Sequence, residues 1–490
     1  MKKRVLGFDL GASSGRAMLG VWEDGRLECR ELHRFENRPV ERDGHLCWDF
    51  PALLGQVRRA LSAAGAVDSV AFDTWGVDFG LLDGAGKLLG LPVHYRDRRT
   101  EGYPQRALGQ MSQEELYRRT GCQIMPINTL FQLLALREEQ PELLERAERL
   151  LFMPELFVWA LGGRVVNELS AASTSQLLDP NQRRWSQPTL DAFGIPRQLF
   201  SGPGRAGATL GNLGRTKLVA AAGHDTQCAV AAMPVQPGQR AAFLSCGTWS
   251  LLGCELDAPI CTRESMLLGM SNEVGADGKI NYLKNIVGLW LLQESRRQWQ
   301  REGQEYSFAE LCQLARSAPA LVSLIDPDDP VFSPPGDIPG RIAQYCRRTG
   351  QPVPETVGAV ARCIFESLAL KYRLTLEQLR QLTGREFTIL HILGGGSRNE
   401  LLCRMTADCC GIRVLAGPVE ATALGNIILQ LQALDVLPSL EEGRVLTAGV
   451  EALRTYEPED TAPWDAAYPR FLQLLKEALN NSASAEQRIF

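Results

Sequence analysis

The chain has 490 residues and a formal net charge of −5, with 45% hydrophobic and 22% charged residues. This length favours two large domains or about three small ones, and the composition excludes a disordered or fibrous protein. The acidic balance argues against a nucleic-acid partner, and no apolar run reaches the length of a membrane span. Thirteen cysteines, an odd number without a Cys-x-x-Cys pair, favour reduced thiols and a cytoplasmic protein.

The first half of the chain opens with strands. Short apolar or alternating runs predict strands at residues 4–10, 16–22, 26–35, 69–73 and 79–82. The first three are joined by short turns and form an antiparallel meander. Residues 51–64 have apolar side chains at helical spacing and predict a helix. Strands followed by alternating helix and strand indicate an α/β layer with a mixed sheet.

The second half repeats this pattern. A strand at residues 240–244, a turn of small residues and a returning strand at 249–254 are followed by a long helix at 355–382. A further strand, a glycine triplet and a helix occupy 388–410. We therefore expect two related domains, residues 1–237 and 238–490, joined at a Pro/Gly-rich link and ending in a C-terminal helical tail. The Pro-rich residues 325–340 and the polar residues 480–490 are expected to be a loop and a frayed end.

Three turns of small residues are candidate phosphate sites, because backbone amides and hydroxyls can converge there on an anion. The first, residues 11–15, is flanked by Asp9, which can hold hydrated Mg²⁺ through its waters, and by Arg16, which can reach phosphate oxygens. The second is residues 245–250, at a strand-to-strand turn. The third is the glycine triplet of residues 394–396, which allows close backbone approach to a ligand. Each is also compatible with an ordinary hairpin or a tight strand-to-helix turn.

The tetrapeptide Gly-His-Asp-Thr at residues 223–226 is the candidate for proton transfer. It lies just before the predicted domain boundary, where two domains would form a cleft. Asp225 can accept a proton from a substrate hydroxyl, and His224 can donate to a sugar oxygen. The same residues also fit a helix start capped by Asp225 or Thr226. Residues 73–78 end a buried strand and either face the cleft or form an Asp/Gly turn with their tryptophan in the core.

Together these segments resemble the FGGY carbohydrate kinases of the actin-like ATPase superfamily. Two stretches are specific to one subfamily: Asp-Thr-Trp-Gly-Val-Asp-Phe at 73–79 and Lys-Asn-Ile-Val-Gly-Leu-Trp at 284–290. More general matching segments lie at 9–16, 95–97, 128–130, 223–226, 244–250, 391–399 and 414–425. The resemblance runs from residue 5 to about residue 437. It implies an α/β fold of two ribonuclease-H-like domains around a central cleft, with ATP mainly on the second domain and the sugar mainly on the first.

The resemblance also implies a role for each matching residue. Asp225 corresponds to the catalytic base, and Asp9 would hold Mg²⁺ through water. The ATP contacts would be Ala12, Ser13, Ser14, Gly15, Arg16, Thr248, Gln293 and Gly395. The sugar contacts would be Gly76, His224, Asp225, Thr226 and Asn285. The residues after the base, Gln227 and Cys228, depart from the small residues typical of the family, which affects packing near the site rather than its chemistry.

The activity implied is ATP-dependent phosphorylation of L-rhamnulose to L-rhamnulose 1-phosphate in L-rhamnose catabolism. The partners are then L-rhamnulose and ATP, with Mg²⁺ as cofactor, and the protein is a monomer or weak homodimer. Three alternatives stay open: a kinase of fuculose, xylulose or ribulose from the same family, a non-sugar actin-like ATPase, and a sugar sensor with a decayed site. The intact Asp9, Arg16, Asp225 and Thr248 argue against the sensor, because a decayed site loses at least one such residue.

Overall fold

The chain divides into two compact units, and the computed structural model describes residues 2–236 and 238–486. The first unit comprises Met1–Gln236, Glu255–Leu283 and Glu420–Glu451. The second comprises Pro237–Cys254, Lys284–Val419 and Ala452–Phe490. The first contiguous segment thus ends beside the predicted Pro/Gly-rich link. The two later segments, Glu255–Leu283 and Glu420–Glu451, also belong to the first unit. No local sequence pattern predicts this.

Nineteen strands occur in the described residues. They are β1 (Lys3–Leu10), β2 (Ser14–Glu23), β3 (Arg26–Glu36), β4 (Pro39–Arg42), β5 (His45–Trp48), β6 (Ser69–Thr74), β7 (Phe79–Leu82), β8 (Arg149–Phe152), β9 (Leu178–Asp179), β10 (Arg184–Trp185), β11 (Thr209–Leu213), β12 (Thr216–His224), β13 (Ala241–Cys246), β14 (Trp249–Leu256), β15 (Ser271–Val274), β16 (Ile280–Val287), β17 (Ile389–Leu393), β18 (Arg413–Ala416) and β19 (Arg454–Tyr456).

Eighteen α-helices occur in the same part of the chain. They are α1 (Phe50–Ala64), α2 (Tyr103–Leu108), α3 (Gln113–Thr120), α4 (Thr129–Glu139), α5 (Pro141–Arg146), α6 (Met153–Ala160), α7 (Leu169–Ser173), α8 (Gln187–Ala192), α9 (Asp225–Ala231), α10 (Arg263–Leu267), α11 (Trp290–Arg301), α12 (Phe308–Ser317), α13 (Ile338–Arg348), α14 (Val357–Thr383), α15 (Glu400–Cys410), α16 (Ala421–Ala433), α17 (Leu440–Val450) and α18 (Ala462–Glu486). Short 3₁₀ turns occur at Arg98–Thr100, Arg197–Leu199, Pro330–Phe332 and Gly395–Arg398.

The first unit is built on a six-stranded sheet with the order β11-β12-β6-β1-β2-β3. β1 pairs antiparallel with β2 and parallel with β6, and β6 pairs parallel with β12. The central strand β1 is buried from Val5 to Leu10, as expected for a strand covered on both faces. On the edge strand β3 only Leu27 and Phe35 are buried. The carboxyl ends of β1, β6 and β12 therefore lie side by side at one edge of the sheet.

Helix α16 covers this sheet although it comes nearly 200 residues after the end of β12. It is buried along almost its whole length, including the polar Asn426 and Gln430, whose side chains therefore need hydrogen-bond partners inside the protein. It crosses α9 so closely that a side chain at Gly425 would overlap the carbonyl oxygen of Cys228. Gln430 on this helix accepts a hydrogen bond from Ser69 at 2.7 Å and donates to the carbonyl of Leu6 at 3.1 Å. The small residue at 425 thus permits the approach that fixes α16 on the sheet.

The second unit contains the strands β14, β13, β17, β18 and β19, hydrogen-bonded in that order. β13 pairs antiparallel with β14 and parallel with β17, the arrangement that β1 has with β2 and β6. The long helix α14 begins after Thr356, whose hydroxyl accepts the N–H of Ala359 at 3.1 Å, and ends at Gly384 with φ of +64°. A hydroxyl N-cap and a left-handed glycine are the expected limits of a helix. The predicted repeat of strand, turn, strand and later parallel strand is present in both units.

The predicted elements of both halves are present, with three differences. The turn after β1 is shorter than residues 11–15, since β2 begins at Ser14. The expected loop at 325–340 contains the 3₁₀ turn Pro330–Phe332 and the start of α13 at Ile338, where Asp337 caps the helix by accepting the N–H of Gly340 at 2.8 Å. The C-terminal helix α18 continues to Glu486, into the predicted frayed end, and residues 487–490 lie outside the described residues.

Candidate active site

The turn between β1 and β2 is held by Asn37, a residue that sequence patterns did not single out. The side-chain amide of Asn37 donates to the carbonyl of Gly11 at 3.0 Å, and its backbone N–H donates to the carbonyl of Ser13 at 3.1 Å. Gly15 lies in β2, where a side chain would overlap the ring of Phe35. The glycine at 15 is therefore required for packing, and the predicted phosphate turn is reduced to residues 11–13.

Arg16 lies between two carboxylates. It is the cross-strand partner of Asp9, with Nε 2.9 Å from Oδ2 of Asp9, and its terminal nitrogen forms an ion pair with Glu420. Glu420 comes from the segment that returns late in the sequence to the first unit. The guanidinium of Arg16 thus lies beside Asp9, the carboxylate that is predicted to hold magnesium. Its contact with phosphate stays a prediction.

Asp9 and Asp73 are neighbours in register on the parallel strands β1 and β6. Both are buried, and burial raises the pKa of each, with the neighbouring charge of Asp9 raising that of Asp73 further. One oxygen of Asp73 accepts from Asn426 at 2.7 Å, whereas the other has no hydrogen-bond partner in the described part of the chain. Two adjacent buried carboxylates supply the oxygen ligands that a hard, hydrated cation prefers. The residues therefore fit Mg²⁺. No group of three or more metal-binding side chains occurs among the described residues.

The segment after β6 makes a tight turn with unusual backbone geometry. Val77 has φ of +67°, a conformation that β-branched residues rarely adopt. Its N–H donates to the hydroxyl of Thr174 at 3.0 Å, and its carbonyl accepts from the hydroxyl of Thr129 at 2.7 Å. A side chain on Gly76 would press against Thr174 at about 3.0 Å. The strained turn is thus fixed from two sides, which is typical of a binding site.

Asp78 anchors the end of this turn in the core. Its carboxylate accepts from the indoles of Trp48 and Trp75 at 2.6 and 3.0 Å, from the backbone of Tyr95 at 3.0 Å and from Gln132 at 2.8 Å. Burial raises the pKa of Asp78 to about 6 in spite of these four hydrogen bonds. The prediction of a turn with its tryptophan in the core is therefore correct for Trp75 and Asp78. Gly76 lies at the edge of the sheet where His224 is also found.

The predicted proton-transfer residues lie where β12 ends and α9 begins. His224 is the last residue of β12 and pairs with Thr74 of β6, and Asp225 is the first residue of α9. His224 is the N-cap residue, and its side chain makes no capping hydrogen bond. The N–H of Thr226 donates to Oδ1 of Asp225 at 2.7 Å. Burial raises the pKa of Asp225 to about 6, and His224 opposes that rise. The helix entry is confirmed, and the aspartate follows the cap position instead of occupying it.

Glu273 is the main residue of this site that the sequence did not reveal. It lies on β15 and is 3% exposed, and its Oε2 is 2.8 Å from Nδ1 of His224. Gln227 donates to the same oxygen at 2.6 Å, which gives the atypical residue after the base a polar function. Its strand β15 has the sequence Ser-Asn-Glu-Val, in which only the valine is apolar, so no hydrophobic pattern marks it as buried.

In the second unit, Thr248 and Gln293 are brought together. The hydroxyl of Thr248 donates to Oε1 of Gln293 at 3.3 Å, and the carbonyl of Thr248 accepts the N–H groups of Gly288 and Trp290 at 3.2 and 3.1 Å. A side chain on Gly288 would overlap the backbone of Trp249. The strand turn of residues 246–249 is thereby fixed against the start of α11.

The three glycines of residues 394–396 differ in the space around them. Gly394 has φ of +80°, and a side chain on Gly396 would overlap Cys246. Gly395 faces open space, since a side chain there would meet no atom of the described residues within 4 Å. The predicted nucleotide contact at Gly395 is therefore accessible to a ligand.

The predicted site residues are distributed over both units. The first contains Asp9, residues 12–16, Gly76 and residues 224–226. The second contains Thr248, Gln293, Gly395 and the half-buried Asn285 of β16. No helix in the described part of the chain is long and apolar enough to cross a membrane.

Comparison with protein families gives two matches. Residues 4–235 match the N-terminal domain of the FGGY family of carbohydrate kinases, and residues 242–434 match its C-terminal domain. The chain is 43% identical over 485 residues to a rhamnulokinase of Bacteroides thetaiotaomicron, covering 96% of this chain and 99% of that protein. It is also 43% identical over 470 residues to a rhamnulokinase of Klebsiella pneumoniae, covering 93% and 95% of the two chains.

Solved structures share the fold at low sequence identity. A gluconate kinase of Lactobacillus acidophilus superposes with a TM-score of 0.78 at 16% identity, covering 97% of this chain and 98% of that one. A xylulose kinase of the same organism gives a TM-score of 0.76 at 15% identity, covering 98% of each chain. The expected two-domain α/β fold is confirmed by this likeness.

Proposed function

The chain belongs to the FGGY family of carbohydrate kinases, and on that premise we propose that it transfers the γ-phosphoryl group of ATP to L-rhamnulose, giving L-rhamnulose 1-phosphate and ADP in L-rhamnose catabolism. The relatives named rhamnulokinase, which match nearly the whole chain, support this substrate. The observation that carries the proposal is the carboxylate of Asp225, placed at the carboxyl end of β12 with about a third of its side chain exposed. Ligands of open α/β sheets bind at such strand ends.

Asp225 is the proposed general base. The sugar hydroxyl attacks the γ-phosphorus, the bond from that phosphorus to the leaving oxygen of ADP breaks, and the hydroxyl proton passes to Asp225. A pKa of about 6 leaves this carboxylate mostly ionised at neutral pH while keeping it more basic than an exposed aspartate. General-base catalysis of this kind contributes about 10²–10⁴ in rate, and positioning with charge neutralisation supplies the remainder.

The proposed sugar contacts fall into two groups. Gly76, His224 and Thr226 come from the carboxyl ends of two adjacent strands of the first unit, where the fixed turn at Val77 and the paired histidine give a rigid polar surface. Asn285 comes from β16 in the second unit. Rigid support of this kind keeps the reacting hydroxyl oriented.

The proposed nucleotide contacts are Ala12, Ser13, Ser14, Gly15, Arg16, Thr248, Gln293 and Gly395. Gly395 supports this assignment because its open position permits close backbone approach to a ligand. The bond between Thr248 and Gln293 supports it by fixing a hydroxyl at a strand turn. The first unit is accordingly the proposed sugar-binding domain, and the second is the proposed nucleotide-binding domain.

Asp9 is the residue proposed to hold Mg²⁺ through water, with Asp73 beside it. When bound, the cation neutralises the charge that develops on the transferring phosphoryl group. The protein's own part is to keep two carboxylates adjacent by strand register and to anchor Arg16 next to them. The proposed setting is the cytoplasm, as a monomer or weak homodimer, and all thirteen cysteines are free thiols in the structure.

A coupled ADP-release assay with Mg-ATP tests the proposal. The panel is L-rhamnulose, L-fuculose, L-xylulose and D-ribulose, on the natural chain and on Asp225→Asn. Turnover that requires L-rhamnulose and is lost in the variant is the expected result. Preference for another ketose would move the substrate within the family, and sugar-independent turnover that survives in the variant would contradict the kinase mechanism.

A further inference from the structure

The imidazole of His224 is held between two acidic side chains. Its Nδ1 is 2.8 Å from Oε2 of Glu273, and its Nε2 is 3.4 Å from Oδ1 of Asp225. Glu273 comes from β15, 49 residues further along the chain, whereas Asp225 begins α9. The ring therefore connects a fully buried carboxylate to the partly exposed carboxylate of the proposed base.

Glu273 is itself fixed in place. Gln227 donates to its Oε2 at 2.6 Å, and Asn281 donates to the carbonyl oxygen of the Gln227 side chain. Next to Glu273, the N–H of Val274 donates to the hydroxyl of Ser173 at 3.0 Å. The backbone of His224 is also tied down, because its N–H donates to the hydroxyl of Ser170 at 3.1 Å. Neither partner of this contact is free to turn away.

Three carboxylates act on the ring of His224. His224 faces Glu273 on β15, Asp225 on α9 and Glu168 at the start of α7. Burial alone lowers the pKa of His224, but these three carboxylates outweigh burial and raise it to about 9. Asp225 in turn faces His224, Asp9 on β1 and Glu273. The result is a buried, positively charged imidazole beside the carboxylate of Asp225.

We propose that Glu273 is a positioning residue for phosphoryl transfer, which fixes the ring of His224 and keeps it positively charged beside Asp225. This inference rests on the proposed function of Asp225. The doubly protonated ring presents its Nε2–H toward Asp225 and the sugar, so it keeps the carboxylate ionised and donates a hydrogen bond at the same time. A neutral ring would lose the charge, and its Nε2 could become an acceptor.

A direct test follows the titration of His224 by NMR in protein with ¹³C-labelled histidine and without substrate. The chain has five histidines, so His224→Gln identifies the resonance by its loss. The expected midpoint is about 9 in the natural chain and below about 7 in Glu273→Gln, because the neutral amide leaves burial to dominate. A natural midpoint below 7 overturns the inference, and so does a shift smaller than one pH unit in the variant.

A matched control is Glu255→Gln, which removes a carboxylate of the same unit that pairs with Arg444 at 2.7 Å. The midpoint of His224 should stay within about half a unit in this control. Glu273→Asp retains the charge and should keep the midpoint above about 8. If Glu273→Gln does not fold, the midpoint of the natural chain and of Glu273→Asp still decide the question.

The kinetic test is the pH profile of kcat/KM for the ketose. We expect an alkaline limb near 9 in the natural chain that moves to about 7 in Glu273→Gln, with a loss of at least about tenfold at pH 8. A merely structural role would lower kcat/KM equally at every pH, and that outcome would overturn the inference. Should the chain phosphorylate no ketose, the proposed function fails while the NMR titration still reports on the contact itself.

Discussion

Replacement of Asp225 by Asn is expected to slow sugar phosphorylation strongly and to make the protein more resistant to unfolding. The carboxylate is placed where burial disfavours its charge, which raises its pKa from 3.8 to about 6. That rise corresponds to about 3 kcal/mol by which folding disfavours the ionised side chain. Because 31% of the side chain is exposed, solvent screening reduces the expected gain to about 1–2 kcal/mol.

The sign of the effect depends on pH. A carboxyl group whose pKa is raised by folding binds its proton more tightly in the native state, so its stabilising contribution is present below about pH 4 and is lost as the pH rises through about 6. The neutral Asn has no such dependence. Asp225→Asn should therefore match the natural chain near pH 4 and exceed it in stability at pH 8.

Urea unfolding followed by tryptophan fluorescence at both pH values measures this difference, alongside ADP release with L-rhamnulose. A fall in kcat of about 10²–10⁴ is expected. Asp191→Asn on the exposed surface of α8 is the control and should change stability by less than about 0.5 kcal/mol. Equal destabilisation of Asp225→Asn at both pH values, or turnover within tenfold of the natural chain, would refute the reasoning.

Three further variants test other contacts within the two units. Asn37→Ala removes the clamp on the turn after β1 and should raise KM for ATP about tenfold with little change in KM for the ketose; equal changes in both would contradict it. Gly15→Ala should cost about 1–3 kcal/mol in urea unfolding by overlap with Phe35, and Phe35→Leu in the same chain should recover part of it. Lys371→Met removes the buried ammonium that lies 2.8 and 2.9 Å from the carboxylates of Asp326 and Asp328 in the second unit, and should cost about 3–5 kcal/mol. An unchanged urea midpoint would refute the last two.

Local elements were predictable because short-range physics determines them. The hairpin of β1 and β2, the hairpin of β13 and β14 and the helix α14 follow from side-chain periodicity, small turn residues and end caps within a few positions of each other. The phosphate-compatible turns and the helix start at Asp225 were found for the same reason, whereas the strand β12 that precedes it was not predicted. The boundaries shifted only where packing decided them, as at Gly15, whose place in β2 depends on the ring of Phe35.

The sequence by itself determined the two α/β halves, the candidate turns and the candidate acid Asp225, because each of these features depends on residues that are close together in the sequence. Only the tertiary structure decided which distant side chains complete the site. Arg16 meets Glu420 across 404 positions, and His224 meets Glu273 across 49. Such pairs leave no periodic trace in the sequence, because they form only when distant segments pack together and their buried charged groups must find partners.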